Sequence, residues 1–239
     1  MRFPTPLVRA TLLRRYKRFL SDVVLEDGRE VVAHCPNPGS MMGLARPGAT
    51  VWLEPNDDPK KKLGFGWRLE ELEGGHMAGI DAGMPNRIGA EALAEGRIPA
   101  LAGYGTIRPE QRYGENSRID FLLSEPGRPD AFVEVKNVHL RRADDWAEFP
   151  DCVTARGTKH LHELARIAQG GGRAVMLYVV QRSDCARFRL AGDLDPAYAR
   201  AFDTARAAGV EMLCHGTRIT TEGVWLDAPL PVDAAPQAR

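Results

Sequence analysis

Ala131-Phe-Val-Glu-Val-Lys-Asn-Val138 is the stretch on which the reading of this chain turns. Eight residues rich in β-branched and aromatic side chains predict a strand. Within it sit Glu134 and Lys136. Positions i and i+2 of a strand share a face, so the two charges emerge side by side while Val133 and Val135 point the other way. A strand this apolar is expected to be buried, and a buried charge is costly unless it is paired or binds an ion. Upstream, Arg118-Ile-Asp-Phe-Leu-Leu123 predicts a second short strand that again carries one acid, Asp120. Two acids and a lysine on neighbouring strands point to a metal site.

Outward from this centre, the pattern on either side is mixed. Thr106 to Tyr113 is expected to pair with the Asp120 strand through Gly114-Glu115-Asn116. Before it, Asn86 is a plausible N-cap, with Ile88, Glu91, Ala92 and Glu95 at helical spacing and Gly96 as the stop. After the central strand, Leu140 to Thr154 is polar and without a clear period. Thr158 to Gln169 predicts a helix with Leu161, Leu164, Ala165 and Ala168 on one stripe. Arg173 to Gln181 is a continuous apolar run, expected of a strand buried on both faces. Asp195-Pro196 opens another helix that runs to Ala208. Val210 to Ile219 and Gly223 to Leu226 are expected as edge strands, with fraying from Asp227. The order helix–strand–strand–strand–helix–strand implies a mixed sheet flanked by helices.

The first 84 residues read as β. Leu7–Arg15, Phe19–Leu25, Glu30–His34, Thr50–Pro55, Phe65–Glu73 and His76–Ile80 are short strands, with Asp27-Gly28 as a hairpin turn. Strands this short and this numerous predict a small closed barrel of the OB type. Cys35-Pro-Asn-Pro-Gly-Ser-Met-Met-Gly43 is a loop that a plain barrel does not need. Arg14, Arg15, Tyr16, Lys17 and Arg18 offer the basic and aromatic side chains that such barrels use on nucleic acid.

The 239 residues carry 32 basic and 32 acidic side chains, so overall charge selects no polyanion. The basic residues are unevenly spread: six fall in the first twenty positions, with no acid among them. Neither a secretory leader nor a membrane span is expected. The four cysteines form no C-x-x-C pair and read as free thiols of a cytoplasmic protein. His34-Cys35 and Cys214-His215 are too far apart in sequence to argue for zinc.

Hydrolysis of a phosphodiester requires a polarised phosphate, an activated water and a stabilised leaving group. Magnesium takes oxygen ligands and usually only one or two carboxylates. Asp120 and Glu134 supply them, with the backbone carbonyl of Val135 as a further ligand and Glu91 as a third carboxylate. Lys136 is suited to orient or deprotonate water, or to stabilise the transition state. Arg156, Lys159 and His160, where the following helix opens, suit a bound phosphate.

Asp120 followed by Glu134-Val135-Lys136, with a helix before and a helix and strand after, resembles the PD-(D/E)XK nuclease superfamily. The chain as a whole resembles the sugar fermentation stimulation protein (SfsA) family from its amino terminus to about Leu230. The likeness rests on Arg18-Phe19, His34-Cys-Pro-Asn-Pro-Gly-Ser-Met41, Arg118-Ile-Asp-Phe121, Val133-Glu-Val-Lys-Asn-Val138, Phe149-Pro-Asp-Cys-Val-Thr-Ala-Arg-Gly157 and Lys159-His-Leu161. It implies an α/β (α+β overall) protein, with an OB-like barrel over 1–84 and a mixed-sheet, nuclease-like domain over 85–239. It also implies DNA binding and a link to sugar metabolism, chiefly maltose. The expected function is therefore DNA binding with little sequence specificity, with a Mg²⁺- or Mn²⁺-dependent nuclease site. The alternative is a non-catalytic DNA-binding regulator with an idle nuclease fold.

Overall fold

The computed structural model describes residues 1–114 and 117–233. Glu115 and Asn116, expected in the turn after Gly114, and residues 234–239 of the expected frayed tail lie outside the described residues.

The first sheet contains β1 (Val8–Tyr16), β2 (Leu20–Leu25), β3 (Glu30–His34), β4 (Thr50–Pro55), β5 (Phe65–Glu71) and β6 (Met77–Gly79). Its order is β3-β2-β1-β4-β5-β6, and a β3–β5 pairing at His34 and Gly66 closes it into the expected barrel. Alternation decides which side chains fill it: Leu12, Val23, Ala33, Val51, Leu53 and Trp67 are each fully buried. Gly28 closes the β2–β3 hairpin at φ 84°, a left-handed value that glycine adopts without steric cost. Phe19, expected as the first residue of the second strand, falls before β2 and is 46% exposed.

The second part contains α1 (Met84–Ala94), β7 (Thr106–Tyr113), β8 (Ser117–Ser124), β9 (Ala131–Val138), β10 (Trp146–Phe149), α2 (Ala155–Gln169), β11 (Arg173–Val180), β12 (Arg187–Leu190), α3 (Pro196–Ala207), β13 (Glu211–Thr220), β14 (Gly223–Pro229) and β15 (Val232–Asp233). The main sheet runs β14-β13-β11-β9-β8-β7. β9, β11 and β13 are mutually parallel, and β7, β8 and β14 are antiparallel to their neighbours. β11 sits inside this sheet and feeds both cores. Val175, Leu177 and Val179 pack with α1, while Ala174, Met176, Tyr178 and Val180 pack with α2 and α3. Burial on two faces accounts for its unbroken apolar run.

Several expectations change. β13 lies between β11 and β14 and is not an edge strand. Of the residues expected to fray, 227–229 continue β14 and Val232–Asp233 form β15. The polar stretch before α2 holds β10, which pairs in parallel with β12 in a small third sheet. α1 begins two residues before Asn86, with Gly83 at its cap, so Asn86 is not the N-cap. α2 begins at Ala155 because the Thr154 hydroxyl accepts the Gly157 N–H at 3.1 Å.

The barrel is seated on the end of β11. Gly79 donates its N–H to the Gln181 carbonyl at 2.9 Å. The Gln181 amide donates to Asp81 O and to Asn137 Oδ1 on β9. A side chain at Gly79 would strike the Gln181 amide and displace it from Asp81 and Asn137. The 35–43 loop docks on the second part as well. Ser40 Oγ and Met41 N both donate to Asp151 Oδ2, at 3.0 and 3.1 Å, and His139 Nε2 lies 3.2 Å from the same oxygen. Burial opposes ionisation of Asp151, but the His139 contact outweighs it and the carboxyl falls well below its ordinary range. The loop therefore joins the barrel to the chain that leaves the central strand.

Candidate metal and phosphodiester site

β8 and β9 pair regularly through Phe121↔Val133, and the ladder stops there. The next residues are Asp120 and Glu134. Opposite Asp120 on β7, Glu110 has a left-handed backbone, φ 54°. β8 also rolls at this point: Phe121 and Leu123 pack on the α1 side, whereas Ile119, two residues earlier, packs on the α2 side. The strands splay, and the Asp120 carboxylate enters the gap. Its Oδ2 accepts the Val135 N–H at 2.7 Å and its Oδ1 accepts Asn86 Nδ2 at 2.6 Å. The N–H and C=O of one strand residue face the same edge. The Val135 carbonyl therefore faces the β8 edge that Asp120 occupies.

Glu134 is 3% exposed. Its Oε1 accepts Lys136 Nζ at 2.6 Å and a hydrogen bond with His160 Nδ1. Its buried Oε2 has no hydrogen-bond partner. Burial alone raises a carboxyl's pKa; here the His160 hydrogen bond and the Lys136 charge outweigh it, and Glu134 is held below its ordinary value. Asp120 goes the other way. Burial pushes it up, Glu134 adds to the push, and the Val135 N–H offsets only part. The pair is thus one acid whose ionisation its surroundings favour beside one whose ionisation they oppose.

Two further groups join the site. Glu163, one turn after His160 on α2, is buried and its Oε2 has no partner. The Tyr113 hydroxyl at the end of β7 is likewise buried, facing Glu163 but with no partner within hydrogen-bond distance. Its ionisation is suppressed by burial, then by the nearby charges of Glu134, Glu163 and Asp120. Lys159 Nζ lies 3.7 Å from Glu163 Oε1. Three of the orphaned polar atoms thus belong to residues around one spot, each costing free energy if nothing binds it.

The donor set is all oxygen and anionic, with Glu134 Oε2 unengaged and the Val135 carbonyl at the same edge, which fits a hard divalent cation. Among the described residues no three His, Cys, Asp or Glu side chains already form a cage.

The structure brings together Asp120, Glu134, Val135, Lys136 and His160. It does not bring Glu91 with them. Glu91 Oε1 accepts the Met1 ammonium at 2.8 Å and Arg97 at 3.0 Å. Five residues along a helix is a rotation of about 140°, so the face that carries Asn86 to Asp120 turns Glu91 elsewhere. His160, expected on a phosphate, is 3% exposed and orients Glu134 instead. Arg156 and Lys159 are exposed on the same helix, and Arg156 Nε is 3.4 Å from His160 Nε2.

The expected basic stretch is divided in role. Arg14 pairs with Asp22 at 2.7 Å and lies over the Tyr16 ring. Arg15 donates to Arg18 O, Asn37 O and Gly39 O, so it holds the 35–43 loop. Lys17 and Arg18 occupy the β1–β2 turn with φ 48° and 64° and are exposed. The four cysteines are free thiols. No helix among the described residues is long and apolar enough to cross a membrane.

Sequence reasoning missed Asn86, Tyr113 and Glu163. A usable signal for Glu163 existed: it falls three residues after His160, adjoining the Leu161 and Leu164 stripe, and so turns toward the sheet with them.

Comparison with known proteins places these features in context. A family model described as the sugar fermentation stimulation protein RE domain matches residues 83–223, and one described as the SfsA N-terminal OB domain matches residues 13–80. A sugar fermentation stimulation protein homolog of Jannaschia sp. (strain CCS1) is 77% identical over 240 residues, covering 100% of both chains. Its counterpart in Dinoroseobacter shibae is 70% identical over 239 residues, covering 100% of this chain and 98% of that one. A solved structure described as Pyrococcus furiosus SfsA in complex with Ca²⁺ superposes with a TM-score of 0.87 at 29% identity, covering 98% of each chain.

Proposed function

The chain belongs to the sugar fermentation stimulation protein family, and on that premise we propose that it is a cytoplasmic DNA-binding protein with a Mg²⁺- or Mn²⁺-dependent phosphodiester-cleaving site. The observation that carries the reading is Glu134: one oxygen is fixed by Lys136 and His160, the other is buried without a partner beside Asp120. A relative described as a Ca²⁺ complex supports a divalent cation on this fold.

A cation bound here would polarise a phosphate oxygen and lower the pKa of water. Asp120 and Glu134, with the Val135 carbonyl, would hold it. Lys136 keeps its ammonium at 2.6 Å from Glu134, where it can orient water or meet developing negative charge. His160 fixes the Glu134 carboxylate. Arg156, Lys159, Lys17 and Arg18 are the exposed cations available to the DNA backbone, with Arg14 and Tyr16 beside them. Contacts of that kind carry little sequence information and weaken as salt rises. Incubation of single-stranded, duplex and branched DNA with Mg²⁺ or Mn²⁺ tests the reading; cleavage lost in Lys136→Ala supports it.

A second reading, a non-catalytic DNA-binding regulator of sugar metabolism, is favoured by one observation. Both Asp120 oxygens and one Glu134 oxygen already have protein partners. A site of this kind tolerates the lack of a cation. DNA affinity indifferent to divalent cations and to Asp120→Ala, with no turnover on any substrate, is its signature.

A further inference from the structure

We propose that the seam between the barrel and the second part takes a single-stranded stretch of DNA, with unpaired bases laid against Phe19 and Val153 and the phosphates on the cations around them. The DNA binding proposed above is the premise, and the form of the DNA is what is added. Three segments meet at this seam. The first is the β1–β2 turn, which carries Lys17, Arg18 and Phe19. The second is the 35–43 loop, tied to that turn by Arg15, which donates to Arg18 O at 3.1 Å and to Gly39 O at 3.0 Å. The third is the 151–154 stretch that leads into α2, tied to the loop by Ser40 Oγ at 3.0 Å from both Asp151 O and Asp151 Oδ2. Burial raises the pKa of the Cys152 thiol, and the Arg18 charge across the seam is close enough to oppose it.

Apolar side chains are exposed here to a degree found on few other parts of the surface. Among the described residues five large ones are exposed, and three of the five fall one on each of these segments: Phe19 at 46%, Met42 at 40% and Val153 at 73%. The Phe19 ring is backed by the His34 ring, with centroids 6.4 Å apart and planes 21° from parallel. A ring supported in this way keeps its orientation and offers its exposed part to another flat group. Val153 immediately precedes Thr154, whose side chain caps α2, so the helix start fixes its place.

The charges set the occupant. Lys17, Arg18 and Arg156 are exposed. Asp151, an acid of the same seam, already accepts Ser40 Oγ and Met41 N and faces His139, so it is not free to repel a phosphate. The cations lead inward: Arg156 Nε is 3.4 Å from His160 Nε2, and His160 Nδ1 meets Glu134. The seam is therefore continuous with the metal site. An intact duplex turns sugars and phosphates outward and keeps its base faces stacked on one another. It would engage the cations and leave Phe19 and Val153 unused. Unpaired bases have free π-faces, which stack on an aromatic side chain whatever the sequence. Exposed apolar side chains beside cations also act as wedges that hold bases apart. A strand with unpaired bases therefore meets both the charge and the apolar surface.

The test is fluorescence anisotropy of the full chain in EDTA, so that nothing is cleaved. The probes are a single strand of roughly 12 nucleotides, the blunt duplex of the same sequence, and an abasic strand of the same length and charge. The single strand is expected to bind more tightly than either of the others. Phe19→Ala is expected to weaken it roughly five- to 100-fold, the usual loss for one stacked base, while duplex affinity and the salt slope stay unchanged. Alanine retains the backbone bonds of Phe19 to Lys17 and Cys35, and a thermal melt verifies the fold. Phe19→Trp is expected to keep the preference. Val153→Ser is the second arm, at an exposed position, and is expected to weaken the single strand by about three- to tenfold and spare the duplex. Duplex or abasic strand bound as tightly as the single strand, equal losses on strand and duplex, or no loss in either variant overturns the proposal and leaves DNA binding standing. No binding of any probe overturns both.

Discussion

Asp120 stands in for a missing rung of the sheet: its Oδ2 accepts the Val135 N–H at 2.7 Å where the β8–β9 ladder has just ended. The same contact holds the acid beside Glu134 and turns the Val135 carbonyl to its edge. Asp120→Asn keeps an acceptor for Val135 and removes the charge, while Asn86 can rotate its amide to suit. The Asp120 pKa is raised by burial and by Glu134. A raised pKa means the group's contribution to stability is full below the ordinary carboxylate value and lost as pH rises through the raised one. In EDTA at about pH 7.5, Asp120→Asn is therefore expected to melt higher than the parent, the difference vanishing as pH falls below the ordinary range. Calorimetric titration with Mn²⁺ should show affinity lower by more than about 100-fold, since loss of outer-shell partners alone commonly costs 10–100-fold.

Tyr113 is tested through stability and Glu163 through cation affinity. The Tyr113 hydroxyl is buried without a partner, so Tyr113→Phe is expected to be neutral or to stabilise the cation-free protein by about 1 kcal/mol in urea titration. Glu163→Gln should weaken Mn²⁺ binding by about tenfold and leave the melting temperature of the cation-free protein little changed. A large loss of stability in Tyr113→Phe would show that its hydroxyl has a partner in solution.

The basic turn divides into a clamp and a contact surface. Arg15 bonds four backbone carbonyls, those of Arg18, Asn37, Gly39 and Ser40, so Arg15→Ala is expected to cost about 1–3 kcal/mol of stability. Lys17→Ala with Arg18→Ala should leave stability nearly unchanged and weaken duplex binding at all sequences. Plotted against salt concentration on logarithmic axes, the binding slope should fall by about 1.8, the value for two lost phosphate contacts. Fluorescence anisotropy across a salt series measures it.

Glu70 gives the barrel its own pH dependence. It is 1% exposed, and burial raises its pKa from 4.5 to about 6, only partly offset by the Ala45 N–H at 2.9 Å. Because the folded value is the higher one, its contribution to stability is full below the unfolded pKa and is lost as pH rises through about 6. Glu70→Gln should therefore stabilise the protein by about 2 kcal/mol at neutral pH, with no gain in acid. Urea unfolding on both sides of this window checks the sign.

The parts of this fold that could be read from sequence are those fixed by local periodicity. β9 and β11 announced themselves through β-branched runs, α3 through Asp195-Pro196, and the barrel through alternation with turn residues. β10 and β12 did not, because each has four residues and each is defined by the other across a long separation in sequence. The start of α2 was set three residues too late because the decisive signal, the Thr154 cap, lies in a stretch without period. Asp120, Glu134 and Lys136 were legible as charges inside apolar strands. Glu91 and His160 were misplaced because sequence spacing gives a helix but not the angle at which it docks. α1 turns Asn86 to the site, and α2 turns His160 inward behind Glu134. Glu163 and Tyr113 were missed for the same reason, since their meeting is a matter of tertiary packing alone.

The most direct measurement is cleavage of end-labelled single-stranded, duplex and branched DNA by the purified chain with Mg²⁺, with Mn²⁺ and with EDTA. It is run in parallel on Asp120→Asn and Lys136→Ala, each verified as folded by thermal melting. The account predicts cation-dependent cleavage of at least one substrate by the parent chain, abolished by EDTA and reduced by more than about 100-fold in both variants. No cleavage of any substrate with either cation, or cleavage that persists equally in both folded variants, would contradict it.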